Sequence, residues 1–356
     1  MLGYELLLKA AFLNRREALA AWEQWQACTD LDRIDDGSYR LLPLVHRNLK
    51  AFGVEHPYMD RLKGVRRRTW LQNQLILRGG VEALLAFRAA GIETMVLRGA
   101  ANIEGYYKDA GLRPIRDCDV LVPEGKAVDA IGTLERAGWS RITPAPAKLT
   151  PRFRGFRSSI AFRNGAGVEL RLHWHVLSFC CSSSADKEFW RGAEPAVVHG
   201  VETLALSPTD QLLHTCLSGL EWSYVPPVWW AADAMMILQL PDRIDAKRIL
   251  RFAKEYRLVL LARRALDYLH ATLEAPVPPD LLRALSAEPV SRADQLEYEC
   301  VTQPYRKRSV SAWMVGAYRR HERCGIGTFM GYLVCSLRWG VLPHVAARVR
   351  KQSRSS

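Results

Sequence analysis

The stretch Met95–Val122, MVLRGAANIEGYYKDAGLRPIRDCDVLV, decides how the rest of the chain is read. It opens on a short apolar run, Met95-Val96-Leu97, and turns at Gly99. A helix-capable segment follows, interrupted by Gly111 and Pro114, and then comes Asp117-Cys118-Asp119-Val120-Leu121-Val122. That last piece reads as a strand, because apolar and β-branched residues follow its acidic start. Side chains alternate faces along a strand, so Asp117 and Asp119 project from one side, roughly 6.5–7 Å apart. Two carboxylates held that close repel each other unless a cation lies between them. Mg²⁺, or Mn²⁺ in its place, fits: it takes a few carboxylates and keeps positions open for substrate phosphates. The competing reading is a solvated strand end whose acids pair with Arg113 and Arg116.

A strand, a glycine turn, a helix and a strand opening Asp-x-Asp is the arrangement of the nucleotidyltransferase superfamily. Val96-Leu97-Arg98-Gly99-Ala100-Ala101, Tyr106-Tyr107, Gly111-Leu112-Arg113-Pro114 and the Asp117–Val122 strand together resemble the bacterial uncharacterised nucleotidyltransferase family. Leu172-His173-Trp174 resembles its Leu-His-Trp motif. Arg98 stands where Lys is usual, and Ala100 where classical superfamily members carry Ser.

The resemblance implies an α+β fold with a mixed-sheet nucleotidyltransferase core over residues 91–206. An N-terminal helical region, 1–90, and a C-terminal helical region with a basic tail, 207–356, flank it. It further implies transfer of a nucleoside monophosphate from an NTP to an unidentified acceptor, with Asp117 and Asp119 on the metal. Glu169 is the candidate third carboxylate; Arg98, Gly99, Ala100, Arg113, Arg171 and His173 are the candidate nucleotide contacts. In the family an acid often precedes Leu-His-Trp, and here that residue is Arg171. Either Glu169 takes over as ligand while Arg171 turns to the triphosphate, or Glu169 and Arg171 pair. In the second case the fold is a degenerate module that binds nucleotide or RNA.

The bulk composition is that of a globular protein, 49% hydrophobic and 24% charged. The net charge of +13 favours an anionic partner. Nucleic acid is one such partner, but no RNA-binding motif supports it. The eight cysteines lack any Cys-x-x-Cys pair and lie mostly among apolar residues, as reduced thiols do. No apolar run reaches membrane-spanning length, and a cytoplasmic location is the expectation.

Helical spacing predicts helices over 4–28, 41–52 and 58–86, the last bent at Gly79-Gly80, and again over 125–137. Asn73 on the long helix matches the family pattern. Pro144 to Arg157 forms a basic loop, with Lys148, Arg152, Arg154 and Arg157, that either clamps a triphosphate or is plain surface. Asn164-Gly165 predicts a tight hairpin between strands 159–162 and 168–177. On the second strand Glu169, Arg171, His173 and His175 share a face. His-x-His invites zinc, but no third ligand at recognisable spacing supports it. Residues 189–205 read as mostly irregular, with a short strand near Glu202 to Leu206. Ser207-Pro208-Thr209-Asp210 starts a helix, and 228–240 forms another, with Asp233 read as a structural group. Residues 245–272 read as one amphipathic helix, and the basic segment 346–354 as a charged tail.

Overall fold

The computed structural model describes residues 2–29, 34–142, 150–155, 157–220 and 229–303, with 315, 318 and 319. Asp30 of the acidic turn, Lys148, the side chain of Arg152 and the whole basic tail lie outside the described residues.

Helices α1 (Leu2–Phe12), α2 (Arg15–Cys28), α3 (Asp36–Ala51) and α4 (Met59–Ala89) precede the sheet. The first predicted helix is thus two, parted at Asn14, whose side chain caps α2 by accepting from the Glu17 N–H. Helix α4 runs unbroken through Gly79 and Gly80. A Cβ there would lie 2.8 Å from Val168 Cγ1 and 2.6 Å from Cys118 Sγ respectively, so the glycines let the helix lie close on the sheet. The expected bend is a packing contact.

The strands are β1 (Met95–Leu97), β2 (Asp117–Leu121), β3 (Ser140–Arg141), β4 (Ser159–Arg163), β5 (Glu169–His173), β6 (Glu194–Val198) and β7 (Val201–Ala205). Among the described residues they form one mixed sheet, ordered β3-β4-β5-β2-β1-β7-β6. Strand β2 runs antiparallel to β1 and parallel to β5, aligning Asp117 with Glu169 and Asp119 with Arg171. A short helix, α5 (Arg98–Asn102), and a wider turn, Ile103–Tyr107, follow β1; α6 (Ala127–Arg136) follows β2. Helix α7 (Pro151–Arg154) precedes β4 and α8 (Ser183–Arg191) follows β5.

The β4–β5 connection is longer than the predicted tight turn: Asn164 N–H donates to the Val168 carbonyl, and the left-handed residue is Gly167, at φ 81°. Residues 194–205, read as largely irregular, make a hairpin. Its turn is His199-Gly200, both left-handed at φ 46° and 83°, the conformation a two-residue hairpin loop requires. A histidine in that position carries little sequence signal.

Helices α9 (Pro208–Gly219), α10 (Trp229–Ile237), α11 (Ala246–Glu255), α12 (Val259–Leu273), α13 (Pro279–Ala287) and α14 (Arg292–Thr302) complete the described chain. Ser207 caps α9 as predicted, accepting from the Asp210 N–H. The single helix expected over 245–272 breaks at Arg257, which is left-handed at φ 53°.

Alternation divides the sheet's side chains between two cores. Val96, Cys118, Val120, Leu170, Leu172 and Trp174 face α4 and α6. Met95, Leu97 and Leu121 face a second cluster shared by α1–α3 and α9–α12. Asp117, Asp119, Arg171 and His173 belong by alternation to this second face.

Candidate active site

Asp119 is the centre of the polar cluster. Its carboxylate, 4% exposed, lies 2.7 Å from His173 Nε2, 3.9 Å from Arg171 Nε and 4.0 Å from Arg98 Nη1. Burial alone would raise its pKa; Arg98, the His173 bond and Arg171 overturn that and hold it down at about 2. Asp117, one pleat away, is pushed up to about 6 by burial and then by the charge of Asp119, against the pull of Arg171 and Arg98. The two acids therefore sit on opposite sides of the ordinary carboxylate range. Their surroundings push the two in opposite directions.

Arg171 donates from Nε to Asp117 Oδ2 at 3.3 Å, so it turns into the acids, not away toward solvent. Glu169 does not join them. It is cross-strand from Arg163 on β4 and pairs with that guanidinium. Among the described residues no three His, Cys, Asp or Glu side chains gather so as to hold a metal ion. Of the three candidate carboxylates, Asp117 and Asp119 are the two that share Arg171, while Glu169 is engaged with Arg163.

His173 is buried. Burial holds its pKa below the usual imidazole value despite Asp119, so the neutral ring donates Nε2–H to Asp119 and orients it. The ring thereby supports the acid. His175 points elsewhere, its Nδ1 2.5 Å from Asp186 and its Nε2 3.0 Å from the Arg154 carbonyl. The two histidines therefore do not share a ligand position.

The turn after β1 differs from expectation in detail. A Cβ on Gly99 would meet Ile115 Cγ2 at 2.5 Å and Arg113 Nη1 at 2.9 Å, so the glycine admits the 113–115 loop. Ala100 is fully buried against the α4–α6 core and its side chain does not face the acids. A serine there would lie at the same buried position. Arg98 itself is left-handed, φ 51°, a conformation that costs a non-glycine residue about 1 kcal/mol or more. That backbone carries its guanidinium to Asp119.

Arg113 is committed to Asp233 of α10 through two bonds of 2.7 Å, with Tyr107 Oη donating to the same carboxylate at 2.8 Å. Burial would lower the arginine's pKa, but Asp233 raises it. The ion pair makes Arg113 a strut between the loop and α10, and Asp233 the structural group its apolar helix suggested. Asn73 sets the same loop from α4: its Nδ2 donates to the carbonyls of Ala110 and Arg113, and its Oδ1 accepts from the Ile115 N–H.

Three further residues come toward the site, and of these Arg40 alone carries no signal in the sequence. Arg40 of α3 lies 5.1 Å from the centre of the Trp229 ring. His214 of α9 is fully enclosed; burial and then Arg98 push its pKa down to about 3. Of the basic loop, Arg157 is felt at the site, its pKa lowered by burial and by Arg171. Arg40 and His214 stand far from the motif in the chain, and only the packing of α3 and α9 brings them in.

The family model for an uncharacterised nucleotidyltransferase matches residues 38–274, spanning α3 to α12 and the entire sheet. The chain belongs to the uncharacterised nucleotidyltransferase family. No curated protein matches it. Among solved structures, this family member is similar to an antigenic nucleotidyltransferase-like protein from Paracoccidioides brasiliensis. The two are 16% identical with a TM-score of 0.36, over 61% of this chain and 95% of the other. A likeness at that level carries no argument about the site. Among the described residues, no helix of this nucleotidyltransferase family member is long and apolar enough to cross a membrane.

Proposed function

We propose that the protein transfers a nucleoside monophosphate from an NTP to an acceptor, using Asp117 and Asp119 on a divalent cation, Mg²⁺ or Mn²⁺. The observation that carries this reading is the pairing of two like-charged acids on one face of β2 with guanidinium groups at both ends. Burial, and after it the charge of Asp119, raise Asp117 to about 6, so a cation between the acids would relieve both. Mg²⁺ is commonly held by one or two carboxylates plus substrate phosphates, and two acids therefore suit it without Glu169. When bound, the metal would neutralise the triphosphate and polarise the scissile phosphoryl group.

The chain's own residues do the rest. His173 fixes the Asp119 carboxylate in one orientation, and Arg98, held in a strained backbone conformation, presents charge to the phosphates from the β1–α5 turn. Arg171 guards Asp117 in the absence of ligand. Its side chain is 37% exposed, and a contact of that kind is worth about 0–1 kcal/mol, so an incoming cation and triphosphate can draw it from acid to phosphate at little cost.

A second reading has its own support: Arg171 contacts Asp117 where a family acid would stand, as in a module that binds nucleotide without turnover. Titration of the protein with each Mg·NTP, followed by incubation with labelled NTP and cell extract, separates the two. Label transferred to an extract component, and lost in Asp119→Asn, supports the transferase; binding without any transfer supports the module. Absence of NTP binding refutes both.

A further inference from the structure

Helix α3 belongs to the helical layer that precedes the sheet, yet its Asp36 pairs with Arg116, the residue before Asp117, and Arg40 stands one turn further along the same helix. Its guanidinium is half-buried and has no carboxylate within ion-pair distance among the described residues. Its neighbours are already matched: Arg113 with Asp233, Arg116 with Asp36, Arg171 with Asp117, Arg98 and His173 with Asp119. Asp36 and Asp117 attract Arg40 only from beyond ion-pair distance. Burial and the like charges of Arg116 and Arg113 hold its pKa down at about 10. Such a guanidinium, partly removed from water and without an acid of its own among the described residues, is a cation in want of an anion.

The ring of Trp229 accounts for its posture. Arg40 lies 5.1 Å and Arg113 5.8 Å from that ring's centre, so the aromatic face supports both. A stacked guanidinium keeps its edge N–H groups free to fork onto phosphate oxygens. We propose that Arg40 is a phosphate-binding residue of the nucleotide site, so that the N-terminal helical layer supplies part of the triphosphate pocket as well as support for it. This rests on the transferase reading only as far as that reading requires a bound NTP. It extends the site to a residue more than fifty positions before the glycine turn.

The experiment uses probes whose binding does not depend on the base: inorganic tripolyphosphate with Mg²⁺, alongside each Mg·NTP, measured by calorimetry on the full chain. Arg40→Gln is expected to weaken tripolyphosphate and NTP alike by about 10- to 100-fold, the range for losing a bond to a charged group. Arg40→Lys, which keeps the charge and the stem over Trp229 but loses the fork, is expected to lose about 3- to 10-fold; it also decides the matter if the Gln variant fails to fold. A lowered melting temperature with unchanged affinity in the folded variants would make Arg40 a structural residue and overturn the proposal. Wild-type protein that binds neither tripolyphosphate nor NTP removes the transferase reading and this one together. Normal wild-type binding with unaffected variants removes this one alone.

Discussion

Replacing Asp117 with Asn should make the ligand-free protein more stable, and only above mildly acidic pH. The unfolded carboxyl titrates near 3.8 and the folded one at about 6. An acid whose pKa rises on folding costs nothing below the unfolded value. The cost grows between the two values and is full above the folded one. A gap of roughly two units corresponds to about 3 kcal/mol at pH 8. From this about 0–1 kcal/mol is subtracted for the lost contact with Arg171, leaving about 2 kcal/mol. Urea unfolding at pH 4 and pH 8 measures it: the variant should match the wild type at pH 4 and exceed it at pH 8. Adding Mg²⁺ with tripolyphosphate should stabilise the wild type and leave the variant nearly unmoved. An Asn variant less stable than wild type at pH 8, or equally shifted at both pH values, would refute the claim that burial and the Asp119 charge together disfavour the Asp117 anion.

The neighbouring acid should respond with the opposite sign. Asp119→Asn strips His173, Arg98 and Arg171 of their shared anion and should cost about 3–5 kcal/mol near pH 7. The wild-type share of that stability is present above pH 4 and is lost as pH falls toward 2; chemical unfolding across that range checks it. Glu169→Gln should leave any transfer activity within about twofold of wild type, since its partner is the exposed Arg163; a loss matching that of Asp119→Asn would restore it as a metal ligand. Asp233→Ala leaves a buried Arg113 without its counter-ion and should cost about 3–5 kcal/mol, read as a fall in melting temperature with NTP affinity lowered in step. Gly80→Ala gains about 1 kcal/mol of helix propensity but drives a Cβ into Cys118 Sγ, and should come out destabilising by about 1–2 kcal/mol in urea unfolding.

How far the sequence could be read depended on the range of the interaction concerned. The Asp-x-Asp strand, the Ser207 cap and the alternation of β5 are local patterns, and one residue's neighbours suffice to fix them. Glycines 79 and 80 misled because their reason lies across the molecule, in Val168 and Cys118, and not in their own helix. The partner of Glu169 is decided at the same longer range. Strand alternation placed it on the correct face, but the partner on that face is chosen by the neighbouring strand, and β4 puts Arg163 directly opposite. The His199-Gly200 hairpin was missed because a histidine supplies the left-handed position that Asn or Asp usually announces. Arg40 carries no motif; it comes toward the site only through the docking of α3, as His214 does through that of α9.

The shared core around α1 has a consequence for how the protein is made. The apolar face of α1 packs against α3, which follows it closely in the chain, but also against α10 and α12. Its last partner is some 250 residues away in the chain. At about 5–20 residues per second, roughly 12–50 s of translation separate the emergence of Leu7 and Leu8 from that of the helix that covers them. For that interval the ribosome carries an incomplete hydrophobic layer, and the newborn chain is a client for whatever shields apolar surface at the exit tunnel. Nascent chains halted before residue 259 should therefore be bound by such factors and be cleaved readily by protease, whereas chains released after residue 303 should not.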